Sequence, residues 1–449
     1  MPKADPARRI AWEVMRAVDT RDAYVNLLLP GKITDAGLGG RDAAFATELT
    51  HGTIRRQGTY DAVLETVTTK GLAAVDPPVR DVLRLGTHQL LSLRTPSHAA
   101  VSTSVDLVRE QVGHKPAAFV NAVLRKVARN DLDAWMRRVA PSRDADPIGH
   151  LSVVYSHPRW IVEALRAALG DDADALERLL EADNDAPHVT LAARPGLTDT
   201  DRAELEAAGA TPGSMSPYAY QLPSGMPGGL SAVRGGRVGV QDEGSQLVAI
   251  AAAAAPLDGD DAAWLDLCAG PGGKAALLGA LAGERSATVT ANELQPHRAE
   301  LVRKAVRGLD NVTVVSGDGR KPAWEGASFD RVLVDAPCTG LGALRRRPEA
   351  RWRRSEADLD SLTTLQRELL GSALDSTRRG GIVTYATCSP HVRETQEIVE
   401  AIVARRDDVE VVDATRLLPQ VVDLSGPYVQ LWPHVHGTDA MFVAVLRRR

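Results

Sequence analysis

The chain of 449 residues has only three cysteines, Cys268, Cys338 and Cys388. That is too few for a disulfide framework and points to a reduced, cytoplasmic setting. It also lacks any apolar run of the roughly 18 residues that a membrane span needs. Its longest run, from Leu247 to Leu257, is mostly alanine. The first residues lead into an amphipathic segment, not the apolar block of a signal peptide. The 38 glycines and 26 prolines are near ordinary levels, which excludes collagen-like and low-complexity chains. No sign of charge dominates: 53 Lys and Arg against 58 Asp and Glu leave a net charge of −5, unlike a general polyanion binder. What is present is the balance of a globular protein, 44% hydrophobic and 25% charged, with length for two or three domains. The charge is uneven. Residues 1–140 carry 20 basic against 15 acidic side chains, and residues 141–232 carry 6 against 14.

Helical spacing runs through residues 1–140. Ile10, Val14 and Val18 recur every four residues, and Phe119, Val120, Val123, Leu124 and Val127 share one helical face. Asp76-Pro77-Pro78 reads as a capped helix start. This part is expected to be an all-α bundle. A polar, proline-rich stretch at 140–147 suggests a boundary. Residues 141–232 read as a small, acidic α+β region. From 233 to 449 the pattern becomes strand, loop, helix, repeated, with β-rich runs at 264–267, 288–293, 312–315, 331–334 and 382–386. That alternation predicts an α/β domain with a mostly parallel sheet covered on both faces. Ligands of such sheets sit beyond the carboxyl ends of the strands.

The loop Asp266-Leu-Cys-Ala-Gly-Pro-Gly-Gly-Lys274 joins the first of these strands to a helix. Its glycines permit a tight turn and close approach of a ligand to the backbone. It matches neither the Walker loop nor the Rossmann Gly-x-Gly-x-x-Gly. Glu293 ends the next strand, where ribose hydroxyls are commonly held. Asp318 follows the third strand and could meet an adenine amine. Nucleoside binding and an ordinary βα turn both remain open on spacing alone.

Asp335-Ala-Pro-Cys338-Thr-Gly follows the fourth strand and Thr387-Cys388-Ser389-Pro390 the fifth. If those strands are neighbours, about 4.8 Å apart, both thiols project into one crevice. The plainer readings are two packed thiols or a disulfide, the latter disfavoured in a reduced compartment. A thiolate and an acid beside a nucleoside site suit cytosine C5, a carbon that is not itself nucleophilic. Thiolate addition at C6 makes C5 enamine-like and able to accept a methyl group. An acid at N3 would stabilise the developing charge.

At these motifs the chain resembles the RNA cytosine-5 methyltransferases that use S-adenosylmethionine. The resemblance implies a Rossmann-like C-terminal domain, with Cys388 as nucleophile, Cys338 assisting product release and Asp335 contacting the base. It assigns Cys268, Ala269, Gly270, Pro271, Gly272, Gly273, Lys274, Glu293, Asp318 and Asp335 to the donor, with no metal. Residues 1–140, including the run from Phe119 to Lys126, look like the RNA-binding NusB fold. That pairing, with Val240-Gln-Asp-Glu-Gly-Ser245 and Leu431-Trp-Pro-His-Val-His-Gly-Thr-Asp439, is similar to the branch of the family that modifies 16S ribosomal RNA. Ala269-Gly270 and Ala275 depart from the more usual Ala-Ala and Thr of the donor loop.

Between Arg345 and Arg354 lie six arginines in ten positions, with Trp352 among them. Arg345, Arg346, Arg347, Arg351 and Trp352 are the expected RNA contacts, guanidinium for phosphate and indole for an unpaired base. A solvated basic helix start is the plain alternative. His434 and His436 have no cysteine cluster nearby, so a structural role is expected over metal binding. The implied partner is ribosomal RNA, with no membrane, and a monomer is expected. Alternatives are a transfer RNA substrate, an RNA-binding protein with a vestigial catalytic domain, or a small-molecule methyltransferase. The last would need neither the helical module nor the arginines.

Overall fold

Helical periodicity in the first part of the chain closes into a bundle. A computed structural model describes residues 4–449 except Asp22, Ser224 and Met226. The reading of Met1–Lys3 therefore lies outside the described residues. The chain packs as two compact units, 1–185 with 344–353, and 186–343 with 354–449.

In the helical unit, helices at Pro6–Arg21, Val25–Asp35, Gly40–Arg55, Gln57–Val67, Pro77–Leu91, Ser97–Gln111 and Ala117–Val127 surround one core. Ile10, Val14, Leu49, Val82, Val120 and Leu124 are all buried there, each burial worth about 1.5–3 kcal/mol. Pro77 does open its helix, although the Asp76 side chain makes no capping bond. Phe119 departs from the expected face and is exposed. Val120, Val123, Leu124 and Val127 already fill the apolar stripe, and the preceding position rotates off its edge. Helices Pro147–Tyr155, Arg159–Ala168 and Ala173–Ala182 belong to this unit too. The region 141–232 is thus divided at Asp185, where one small α+β body was expected.

The other unit begins with an antiparallel sheet of β1 (Val189–Ala193), β2 (Thr211–Pro212), β3 (Ala219–Leu222) and β4 (Val238–Val240), in the order β2-β3-β1-β4. Its larger sheet contains β5 (Ala263–Asp266), β6 (Thr288–Glu293), β7 (Val312–Ser316), β8 (Phe329–Asp335), β9 (Thr377–Thr387), β10 (Val409–Val412), β11 (Val429–Gln430) and β12 (Phe442–Arg448). The order is β10-β12-β9-β8-β5-β6-β7, with β11 beside β12. Strands β5 to β9 are parallel, and antiparallel β12 slots between β9 and β10. The winding reverses on either side of β5, which opens a crevice at its carboxyl end. Asp266, Glu293, Asp335 and Thr387 are the last residues of four strands there. Strands β8 and β9 are adjacent, with Asp335 opposite Ala386.

Candidate active site

The turn after β5 is shaped by glycine. Gly272 has φ +112°, and a Cβ there would lie 2.5 Å from the Ala305 side chain. Glu293 reaches across from β6 and accepts the Gly270 N–H (3.1 Å) and the Gln295 N–H (2.9 Å). Arg298 donates to the Gly270 carbonyl (2.7 Å) and lies 3.6 Å from Glu293. A Cβ at Gly270 would come within 2.1 Å of Glu293 Oε2, so an alanine at this position would push the carboxylate away. Asp318, beyond β7, is gripped by Arg320 at 2.7 Å, which lowers its pKa to about 2.

Behind this turn lies a cluster of charge. Lys274 Nζ donates to Asp335 Oδ2 at 2.8 Å. Burial works against the ammonium, but the Asp335 carboxylate outweighs it and holds the Lys274 pKa above its ordinary value. Asp266 is 0% exposed, and neither carboxylate oxygen has a well-formed hydrogen bond. Burial, then the Asp335 charge, push its pKa up to about 7, with the Cys268 backbone offsetting only part of the rise. A buried acid without acceptable partners is costly unless something completes it. The unmet carboxylate, the open glycine turn and Glu293 beside it fit a cationic ligand that carries a ribose. Cys268 packs at the core edge, and burial pushes its thiol well up.

The two remaining thiols meet. Cys338 Sγ lies 3.5 Å from Cys388 Sγ, and both cysteines are free. Their hydrogen bond, followed by burial, raises the Cys338 pKa well above the usual thiol range. A fully buried Glu394 sets the two loops. It accepts the Thr339 N–H (2.8 Å), the Thr339 hydroxyl and Gln366 Nε2 (3.1 Å). The Thr339 hydroxyl also meets Ser389 Oγ at 3.1 Å, next to Cys388. Gly342 donates to the Cys388 carbonyl at 2.9 Å, where a Cβ would come within 2.0 Å of the Ala440 carbonyl oxygen.

Residues 252–447 match the family model described as 16S rRNA methyltransferase RsmB/F, and residues 5–129 match the NusB family. The chain is 54% identical over 446 residues to the putative methyltransferase MT1451 of Mycobacterium tuberculosis, covering 99% of this chain and 97% of that one. It is 32% identical to the probable ribosomal RNA small subunit methyltransferase B of Bacillus subtilis, over the whole of both. The solved structure of PH0851 superposes with TM-score 0.81 over 100% of both chains at 20% identity, which shows the shared fold. The chain belongs to the RsmB/F methyltransferase family. It is therefore an S-adenosylmethionine-dependent methyltransferase with a NusB-like helical module.

Two motifs that flank the catalytic part of this methyltransferase come together. Asp242 Oδ2 accepts the Gly244 N–H (3.0 Å), the Asp439 N–H (3.2 Å) and the Thr438 hydroxyl. His436 Nδ1 accepts the Trp432 N–H at 2.9 Å and Nε2 meets the Val422 carbonyl at 3.0 Å. Among the described residues no His, Cys, Asp and Glu group could hold a metal ion, and no helix is long and apolar enough to cross a membrane.

The arginine-rich run is not an open basic stripe. Arg351 is 0% exposed and donates to the carbonyls of Arg55 (2.9 Å), Ser156 (3.2 Å) and Asp183 (2.7 Å) and to Asn184 Oδ1 (2.8 Å). Burial brings its pKa down to about 9. Arg345 is buried as well, and Trp352 gives its N–H to the Ile54 carbonyl (3.1 Å). Arg351 is thus corrected from a phosphate contact to a structural group, because helix ends in the helical unit present carbonyls that need donors. Arg346 and Arg347 are half-buried, and Arg347 lies over the Tyr24 ring at 5.3 Å. Sequence reasoning missed Glu394, which lies in a charged stretch with no visible pattern. Asp266 was quoted within the motif but given no role, although an acid ending the strand before the glycine turn was a readable signal.

Proposed function

We propose that the protein methylates C5 of a cytosine in small-subunit (16S) ribosomal RNA. The observation that carries this is the pair of thiols 3.5 Å apart at the ends of adjacent strands, beside Lys274 and Asp335. The names of relatives such as the Bacillus subtilis protein support the choice of RNA. The donor, held by residues 268–274, Glu293, Asp318 and Asp335, supplies an electrophilic methyl group. Cys388 is the nucleophile. Its anion and the Lys274 ammonium stabilise each other, while the Cys338 thiol keeps its proton. The Cys388 sulfur would add to C6, and C5 would take the methyl group from the donor sulfonium, which would leave as a neutral thioether. Asp335 and Lys274 present an acceptor and a donor to the polar edge of the ring.

The family resemblance assigns the order of the two thiols, and the raised Cys338 pKa fits it. Once Cys388 is bonded to C6, its charge is gone and the main influence raising the Cys338 pKa is relieved. Cys338 then gives its proton to solvent and, as the thiolate, takes the C5 proton, and the sulfur–C6 bond breaks by elimination. Glu394 positions both loops. Arg346 and Arg347 keep partial exposure and remain the RNA contacts proposed from the arginine run. Bisulfite mapping of ribosomal and transfer RNA from cells with and without the gene tests the reading. One protected cytosine in small-subunit RNA, lost with the gene, is expected. A lost site confined to transfer RNA would overturn the substrate.

A further inference from the structure

The helical unit contains a polar cavity of about 380 Å³ with Glu48, Arg55, Arg56, His88 and Ser92 on its walls and Leu132 among its apolar ones. Gly52 makes the room: a Cβ there would lie 2.5 Å from the His88 ring and 2.6 Å from Glu48. Arg55 is 4% exposed, yet its one hydrogen bond among the described residues runs from Nη2 to the Arg345 carbonyl at 3.2 Å, and Nε has no partner. Burial accordingly lowers its pKa from the ordinary guanidinium value. Arg56 is half-buried and gives a single 3.3 Å bond to the Val154 carbonyl. His88 is buried, held by the Tyr60 hydroxyl at 2.7 Å on one side and facing Glu48 at 3.6 Å on the other, and burial favours its neutral form.

A buried guanidinium with most of its donors unmet calls for an anion, and its planar fork suits phosphate oxygens. The cavity exceeds what a bare phosphate fills and falls in the size range of small-ligand sites, about 300–1,000 Å³. Glu48 at its rim repels a free anion but accepts an N–H from a base. We propose that this cavity receives one unpaired nucleotide of RNA, its phosphate on Arg55 and Arg56 and its base edge toward Glu48 and Ser92. The proposal rests on the ribosomal RNA reading and adds a second place where the substrate is gripped. Unpaired nucleotides suit it because only a splayed base can enter a pocket.

The test is fluorescence anisotropy of labelled hexaadenylate on the full chain without methyl donor. Arg56→Gln should weaken binding about tenfold and flatten the salt dependence by about 0.7 in log–log slope, one single-strand phosphate contact. Leu132→Trp, which fills the cavity without changing charge, should weaken it to a similar degree and carries the test if Arg56→Gln does not fold. Inorganic phosphate at equal concentration should not displace the hexanucleotide. Unchanged affinity in both variants would overturn the proposal. Equal competition by inorganic phosphate would overturn it too, as a free-anion site. Wild-type chain that binds hexaadenylate through Arg56 but transfers no methyl group to ribosomal RNA would instead sink the proposed function and leave the cavity standing.

Discussion

Arg351 in the helical unit and Asp266 at the end of β5 are both fully buried charged side chains. Arg351 spends its guanidinium on three backbone carbonyls and an amide oxygen, whereas neither oxygen of Asp266 has a well-formed bond. The first arrangement satisfies both terminal nitrogens of Arg351, leaving only Nε without a partner, and holds residues 344–353 against the helices. The second is incomplete and sits where a cationic donor fits. Satisfied charge marks structure and unsatisfied charge marks a ligand site, because an unpaired buried ion is retained only when function repays its cost. By the same measure Arg55 lies on the ligand side of the line.

That contrast can be broken most forcefully at Arg351. Arg351→Ala strips partners from buried carbonyls and should destabilise the helical unit by about 3–5 kcal/mol in urea unfolding, while donor affinity by calorimetry stays put. Normal unfolding with weakened donor binding would invert the roles of the two charges. Glu293→Ala comes next. Ribose hydrogen bonds to a carboxylate are worth about 1.5–3 kcal/mol, so donor affinity should fall roughly tenfold or more. An unchanged titration would remove Glu293 from the site.

The smallest expected change in donor affinity is the pH dependence of Asp266. Its folded pKa of about 7 stands above the unfolded value of 3.8, so ionisation costs the folded protein stability as pH rises between these values, and the cost persists above them. Asp266→Asn should therefore melt higher at pH 8 than the wild type. A cationic donor favours the ionised acid, so wild-type affinity should rise several-fold from pH 6 to pH 8, and the variant should lose that rise. A flat wild-type profile would detach Asp266 from the donor.

Local signals were legible and distant ones were not. Strands β5 to β9 and their order along the chain follow from β-rich runs punctuated by glycine turns, and the neighbouring of β8 and β9 brought Cys338 and Cys388 together as the motif positions implied. Antiparallel β12, at Phe442–Arg448, was not legible, since its insertion between β9 and β10 depends on pairing with segments tens of residues away. The run Arg345–Arg354 misled for a physical reason. Arginine density signals phosphate only when the side chains reach solvent, and here helical-unit carbonyls take up Arg351. Glu394 was invisible because its partners, Thr339 and Gln366, are brought to it only by the fold.

The central claim is that Cys388 bonds to the RNA and Cys338 releases it. Denaturing gels of labelled small-subunit RNA with donor and each alanine variant test this directly. Cys338→Ala should attack, methylate once and remain attached, giving a shifted band, and Cys388→Ala should give neither adduct nor product. The reverse pattern would exchange the two roles, and normal turnover without adduct in both variants would contradict the covalent mechanism.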